Sequence, residues 1–66
     1  MQPHQQRVVD EKAELDKKAY ALSQFIGANE IFLKLDQAEQ DRLREQCEVM
    51  WQYSEILGAR IAAFPS

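Results

Sequence analysis

Val8, Lys12, Leu15, Ala19, Leu22 and Ile26 follow one another at steps of 4, 3, 4, 3 and 4. An α-helix brings positions so spaced round to one side, whereas a half-buried strand needs alternation at every second residue. Leu43, Cys47, Met50, Ser54, Leu57, Ile61 and Phe64 again alternate steps of 4 and 3. Each run is a seam of the coiled-coil kind. Two such seams joined by a short connection predict an all-α fold: an antiparallel two-helix hairpin.

The ends of the helices are marked by local chemistry. Pro3 suits a first helical turn, where its missing N–H would be unpaired anyway. Gly27 offers a left-handed C-terminal cap, so the first helix is expected over 3–26. Glu14 and Lys18 stand at the favourable i,i+4 spacing for an ion pair. Residues 27–35 are too apolar for a solvated loop and too short for a full helix. They predict a helical turn that tucks Phe32 and Leu35 under the end of the hairpin. Asp36 with Glu39 forms an acidic capping box, so the second helix is expected over 37–64, where Pro65 prevents continuation. Ser54 and Gly58 are small enough to let the helices approach closely. Counting outward from the turn pairs residues whose numbers sum to 68 or 69, placing Ile26 opposite Leu43, Leu22 opposite Cys47 and Val8 opposite Ile61.

Residues 1–66 form a single domain near the lower limit for a self-sufficient core. Chains this small usually rely on a disulfide, a metal, a partner or another copy of themselves. Cys47 is the one cysteine and His4 the one histidine, which excludes an internal disulfide and leaves no four-ligand zinc set. Another copy or a partner remains. The second helix has a spare apolar row, Val49, Tyr53 and Ile56, with Ala63 beyond, and Trp51 stands off the main seam. The first helix adds Val9, Ala13, Tyr20 and Phe25. Single apolar residues on a surface are ordinary, but rows of them mark an interface. Val9, Val49, Trp51, Tyr53 and Ile56 are therefore the candidate contacts of a homo-oligomeric helical bundle.

No nucleophile–base pair, Gly-rich phosphate loop or carboxylate pair points to an enzyme, and nothing calls for a cofactor or metal. A net charge of −3 disfavours a duplex-DNA binder without excluding a small anion in a local basic pocket. No stretch approaches a membrane span or a signal peptide, so a cytoplasmic protein is expected. Cys47 on the seam reads as a small buried hydrophobe. Lys12 on the seam reads either as a snorkelling stem or as an ammonium held near an anion pocket between subunits. In the hairpin, Arg7 and Arg60 reach the same end, beside His4, Gln5 and Gln6. Guanidinium and amide groups suit phosphate and nucleobase edges, and Tyr53, two turns from Arg60, could stack on a base. The plainer reading is surface ion pairing, Arg7 with Glu11 and Arg44 with Glu48.

The opening His4-Gln5-Gln6-Arg7-Val8-Val9-Asp10-Glu11-Lys12, followed by Glu14-Leu15-Asp16, resembles the start of many small phage proteins. The closing Tyr53-Ser54-Glu55-Ile56-Leu57-Gly58-Ala59-Arg60-Ile61-Ala62-Ala63-Phe64 does so too. Over nearly its whole length the chain is similar to the short helical proteins of crAss-like phages. More distantly it resembles the helical-hairpin domain of phage anti-CBASS and anti-Thoeris proteins. Those proteins are sponges: they hold cyclic nucleotide or cyclic-ADP-ribose-type immune signals, uncleaved, between subunits of a homo-oligomer, often a hexamer. The resemblance implies a phage counter-defence role in the host cytoplasm. The implied ligand is a cyclic di- or trinucleotide or a cyclic ADP-ribose-type signal, with Arg7 and Arg60 at the recurring basic positions.

The expected ligand contacts are thus His4, Gln5, Arg7, Lys12, Tyr53 and Arg60. The other functional classes open to such a sequence are a protein-interaction inhibitor of a host defence complex, of anti-CRISPR or anti-restriction type, and a small virion assembly factor.

Overall fold

The computed structural model describes residues 1–65, and within them the chain is all-helical. Helix α1 spans Pro3–Ala28, α2 spans Glu30–Lys34 and α3 spans Gln37–Ala62. Ser23 meets Cys47, Asp16 meets Ser54, and Lys12 meets Gly58, so α1 and α3 lie side by side in opposite directions. The result is a rod of 48 × 15 × 14 Å. Most of its length is that of one long helix, since 26 residues rise about 39 Å at ~1.5 Å each, and the connection and chain ends supply the rest.

Several boundaries differ from the sequence expectation. Helix α1 does not stop at Ile26, and Gly27 is not a left-handed cap, for no glycine has positive φ. The residue that ends the helix is Asn29. Its N–H donates to Phe25 O at 3.2 Å, closing the last turn. Its side chain then accepts from Ile31 N–H at 2.8 Å, which starts α2. One extended residue thus satisfies orphan backbone groups of two helices. Asp36 caps α3 by accepting from Glu39 N–H at 3.2 Å. The reciprocal half of the expected box is absent: Glu39 takes Arg42 Nε at 2.9 Å instead. Helix α3 ends at Ala62 rather than Phe64, with Ala63 as its C-cap. Lys17, not Lys18, approaches Glu14, at 3.6 Å.

The connection is held by Phe32, whose side chain is 1% exposed. Phe25 meets its ring edge-on at 5.9 Å between centroids, and the Arg44 guanidinium lies 5.0 Å from its centroid. Gln40 Nε2 donates to Leu35 O at 2.9 Å and satisfies a carbonyl the turn leaves open. Leu35 itself is half-buried.

The Ser23–Cys47, Asp16–Ser54 and Lys12–Gly58 contacts each sum to 70, with Ala19–Cys47 and Ser23–Trp51 four to either side of that value, so the register is displaced by one or two residues from the expected 68 or 69. Cys47 accordingly faces Ser23 and Ala19 rather than Leu22. Among the described residues the hydrophobic core is Val8, Ala19, Phe32, Cys47 and Leu57. Leu15, Leu22, Ile26, Leu43, Met50 and Ile61 are half-buried, because two helices offer no third layer to cover their outer flanks.

Candidate functional site

Midway along the rod the seam is polar. Lys12 Nζ donates to Asp16 Oδ2 at 2.8 Å, and Ser54 Oγ donates to Asp16 Oδ1 from the opposite helix. Gly58 leaves room for the Lys12 stem: a Cβ there would stand 3.3 Å from Lys12 Cε. The Lys12 ammonium and the Ser54 hydroxyl both favour the charged carboxylate and hold Asp16 below its ordinary pKa of 3.8. Of the two readings of Lys12, the observed geometry is a stem packed across Gly58 with its ammonium committed to Asp16. Asp16 is a residue the seam spacing passes over in favour of Leu15. Its signal was present in the sequence as a carboxylate one helical turn beyond a seam lysine.

At the open end of the rod the expected contacts separate. His4, Arg7 and Arg60 are exposed, and among the described residues neither arginine enters an ion pair. The observed register places Arg7 across from Ala63 and Arg60 across from Asp10, so both do reach this end. The expected Arg7–Glu11 pair does not form, and Arg44 pairs with Asp41 at 3.5 Å rather than with Glu48. Gln5 is buried, and its Oε1 accepts from Gln2 N–H at 2.9 Å, closing the first turn of α1. It lines an open recess of about 450 Å³ together with Met1, Gln2, Phe64 and Pro65; neither arginine lines it.

Tyr53, 41% exposed, belongs to a row with Val49 and Ile56, which are 55% and 60% exposed. Steps of 4, 3 and 4 carry this row on to Arg60 along one side of α3. Trp51 is not part of it. Two residues turn a helix by about 200° at ~100° each, so Trp51 and Tyr53 face opposite ways. Trp51 Nε1 donates to Ser23 Oγ at 3.2 Å, across to α1. Ser23 Oγ lies 3.2 Å from Cys47 Sγ, which is 3.9 Å from Ala19 O. This relay fixes the indole beside a groove of about 350 Å³, lined also by Ile26, Gly27, Arg44 and Glu48. The spacing of the seams did not reveal the groove, because it arises from how α1 meets α3. Val9 is half-buried.

Tyr20, Ile31, Leu33, Val49, Trp51, Tyr53 and Ile56 are all large apolar side chains with substantial exposure. They outnumber the hydrophobic residues the fold buries, and they lie on more than one side of the rod. No helix of the described residues is long and apolar enough to cross a membrane. No curated protein and no solved structure shows significant similarity to the chain. A family model does match, over residues 2–63, and so spans both long helices and their connection: the chain belongs to the Sequestin family.

Proposed function

We propose that this protein binds a cyclic-nucleotide-type immune signal and withholds it from its effector without cleaving it, as a phage counter-defence protein of the host cytoplasm. Membership of the Sequestin family carries the reading, since the family's name denotes sequestration. The action is stoichiometric: each ligand removed needs protein to hold it. The ligand's phosphates are met by Arg7 and Arg60, with His4 beside them; Gln5, expected with them, is buried and closes the first turn of α1 instead. The ligand's bases stack on Tyr53; Lys12, expected among the contacts, has its ammonium committed to Asp16 and is not one of them. Exposed arginines without carboxylate partners have donors to spare for phosphate.

The binding unit is a homo-oligomer. Val9, Val49, Tyr53 and Ile56 are its candidate contacts, and the Val49–Tyr53–Ile56 row is the apolar surface that a second copy would cover; Trp51, expected among them, faces the other side of α3 and is tied to Ser23. Placing Arg60 on that same row brings a cation to the edge of the interface, where an anion held between subunits would be partly shielded from water. The exposed row also favours a second reading, a helix laid into a groove on a host defence protein.

Native mass spectrometry of the purified protein, alone and with cyclic di- and trinucleotides and cyclic ADP-ribose isomers, separates the two. Sequestration predicts a defined oligomer that takes up ligand at fixed stoichiometry and releases it intact on denaturation. It also predicts that Arg7→Ala combined with Arg60→Ala removes uptake while leaving folding unchanged. An oligomer indifferent to the whole panel refutes this function and turns attention to a host protein.

A further inference from the structure

Glu48, Trp51 and Arg44 stand at steps of 4 and 3 on one side of α3 and line the groove whose far wall is Ser23 and Gly27 of α1. Four observations on this groove converge. The indole of Trp51 is 38% exposed, and its N–H is tied to Ser23, so the ring is held in place while part of it stays open to solvent. The Glu48 carboxylate has no ion-pair or hydrogen-bond partner among the described residues, although Arg44 is one helical turn away. Arg44 is turned instead toward Asp41 and the Phe32 ring, which leaves most of its five N–H donors unused. Gly27 has no backbone need to be glycine, since its φ is not positive, and a Cβ there would meet nothing within 4 Å. A side chain at 27 would enter open space in the groove mouth.

A pinned aromatic ring, an acceptor-only carboxylate, a guanidinium with free donors and an unobstructed approach form a recognisable set. Groove volume is within the ~300–1,000 Å³ usual for small-molecule sites. We propose that the groove is a binding site for a guanine nucleotide. The base stacks on Trp51, as planar bases do on aromatic side chains. Its edge offers two adjacent N–H donors, and these meet the two oxygens of Glu48. Adenine presents a ring acceptor at the corresponding place, which a carboxylate repels. The guanine carbonyl oxygen beside those donors meets an N–H of Arg44, and the ribose and phosphate leave from the opposite edge of the base. This site is separate from Arg7 and Arg60: Arg44 and Arg60 are 16 residues apart on α3, about 24 Å at ~1.5 Å per residue, too far for one nucleotide to touch both within a subunit. The choice of a nucleotide rests on the sequestration reading; the choice of guanine rests on Glu48.

Trp51 is the one tryptophan, so its fluorescence reports on this groove alone. The probes are guanosine 5′-monophosphate, adenosine 5′-monophosphate and inorganic phosphate, titrated into the full chain. The expected result is saturable quenching by the guanine nucleotide, at least about tenfold weaker for the adenine nucleotide and absent for phosphate. Glu48→Gln should weaken the guanine response by about tenfold or more, as loss of a charge-assisted pair requires. Gly27→Leu, a good helix former reaching into open space, should fold and block quenching. The Arg7→Ala, Arg60→Ala double variant should quench as the wild type does. Quenching by guanine and adenine alike, or unaffected by Glu48→Gln and Gly27→Leu, overturns the site. So does the absence of quenching, and calorimetry on the cyclic panel then distinguishes the two failures. Cyclic-ligand binding lost in the arginine variant leaves sequestration standing without this groove; no binding at all removes both.

Discussion

Gly58 and Lys12 permit a prediction whose sign depends on one interhelical contact. Glycine inside a helix costs about 1 kcal/mol relative to alanine. Gly58 has no positive φ, so alanine meets no backbone strain there. With nothing else involved, Gly58→Ala should stabilise the protein by about that amount. The new Cβ, however, would lie 3.3 Å from Lys12 Cε, and Lys12 is tied to Asp16 at 2.8 Å. The stem must yield by a few tenths of an ångström, which loosens a partly exposed pair worth about 0–1 kcal/mol. The gain from Gly58→Ala alone should therefore fall short of ~1 kcal/mol, between about 0 and 0.5. In a Lys12→Ala background the obstruction is gone and the same substitution should recover the full ~1 kcal/mol. For a chain of this size that difference is about 4–8 °C in Tm per kcal/mol. The assay is urea unfolding followed by far-ultraviolet circular dichroism, all four proteins at one concentration, because self-association links stability to concentration. An equal gain in both backgrounds would refute the contact between the Lys12 stem and α3.

Gly27→Ala, with open space around its new methyl, should stabilise by about 0.5–1 kcal/mol in the same assay; a loss would show that something already occupies that space. Phe32→Ala removes the one large side chain buried in the connection and should cost about 3–5 kcal/mol in urea unfolding, with a much smaller loss counting against its role as the anchor. Asp16 has its pKa lowered in the folded protein, so its contribution is complete above the unfolded value of 3.8 and disappears as pH falls through the lower folded value. Wild type should accordingly exceed Asp16→Asn in stability at neutral pH, and the two should converge in acid; a difference that persists at the lowest pH would contradict this. Val49→Glu with Ile56→Glu puts like charges on the exposed row and should lower the mass measured by native mass spectrometry or light scattering while helix content is retained; an unchanged mass would move the interface elsewhere.

The long helices were legible because what makes them is local. Spacing by 4 and 3, Pro3 near the start, Asp36 at a cap and Pro65 near the end each act within a turn or two of chain. Gly27 misled for an equally physical reason. A glycine near a predicted end looks like a left-handed cap, but the neighbouring Asn29 can end one helix and begin the next, and it does both. Arg44 was assigned to Glu48 by the i,i+4 rule. That rule could not register that Phe32 would offer the guanidinium a ring face from the connection.

Sequence alone determined that this chain is helical, that its two long helices carry one seam each, and that it has more apolar surface than two helices can bury. Those properties depend on residue type and on hydrogen bonds that span four residues. Tertiary structure decided the register, and with it nearly everything about the sites. A shift of one or two residues puts Asp16 against Ser54 and Ser23 against Cys47. It joins Trp51 to Ser23 while Tyr53 faces away on the opposite side of α3. Register is set by where a few side chains meet across the helices, and seam spacing is nearly the same for neighbouring registers, so only the packed pair distinguishes them.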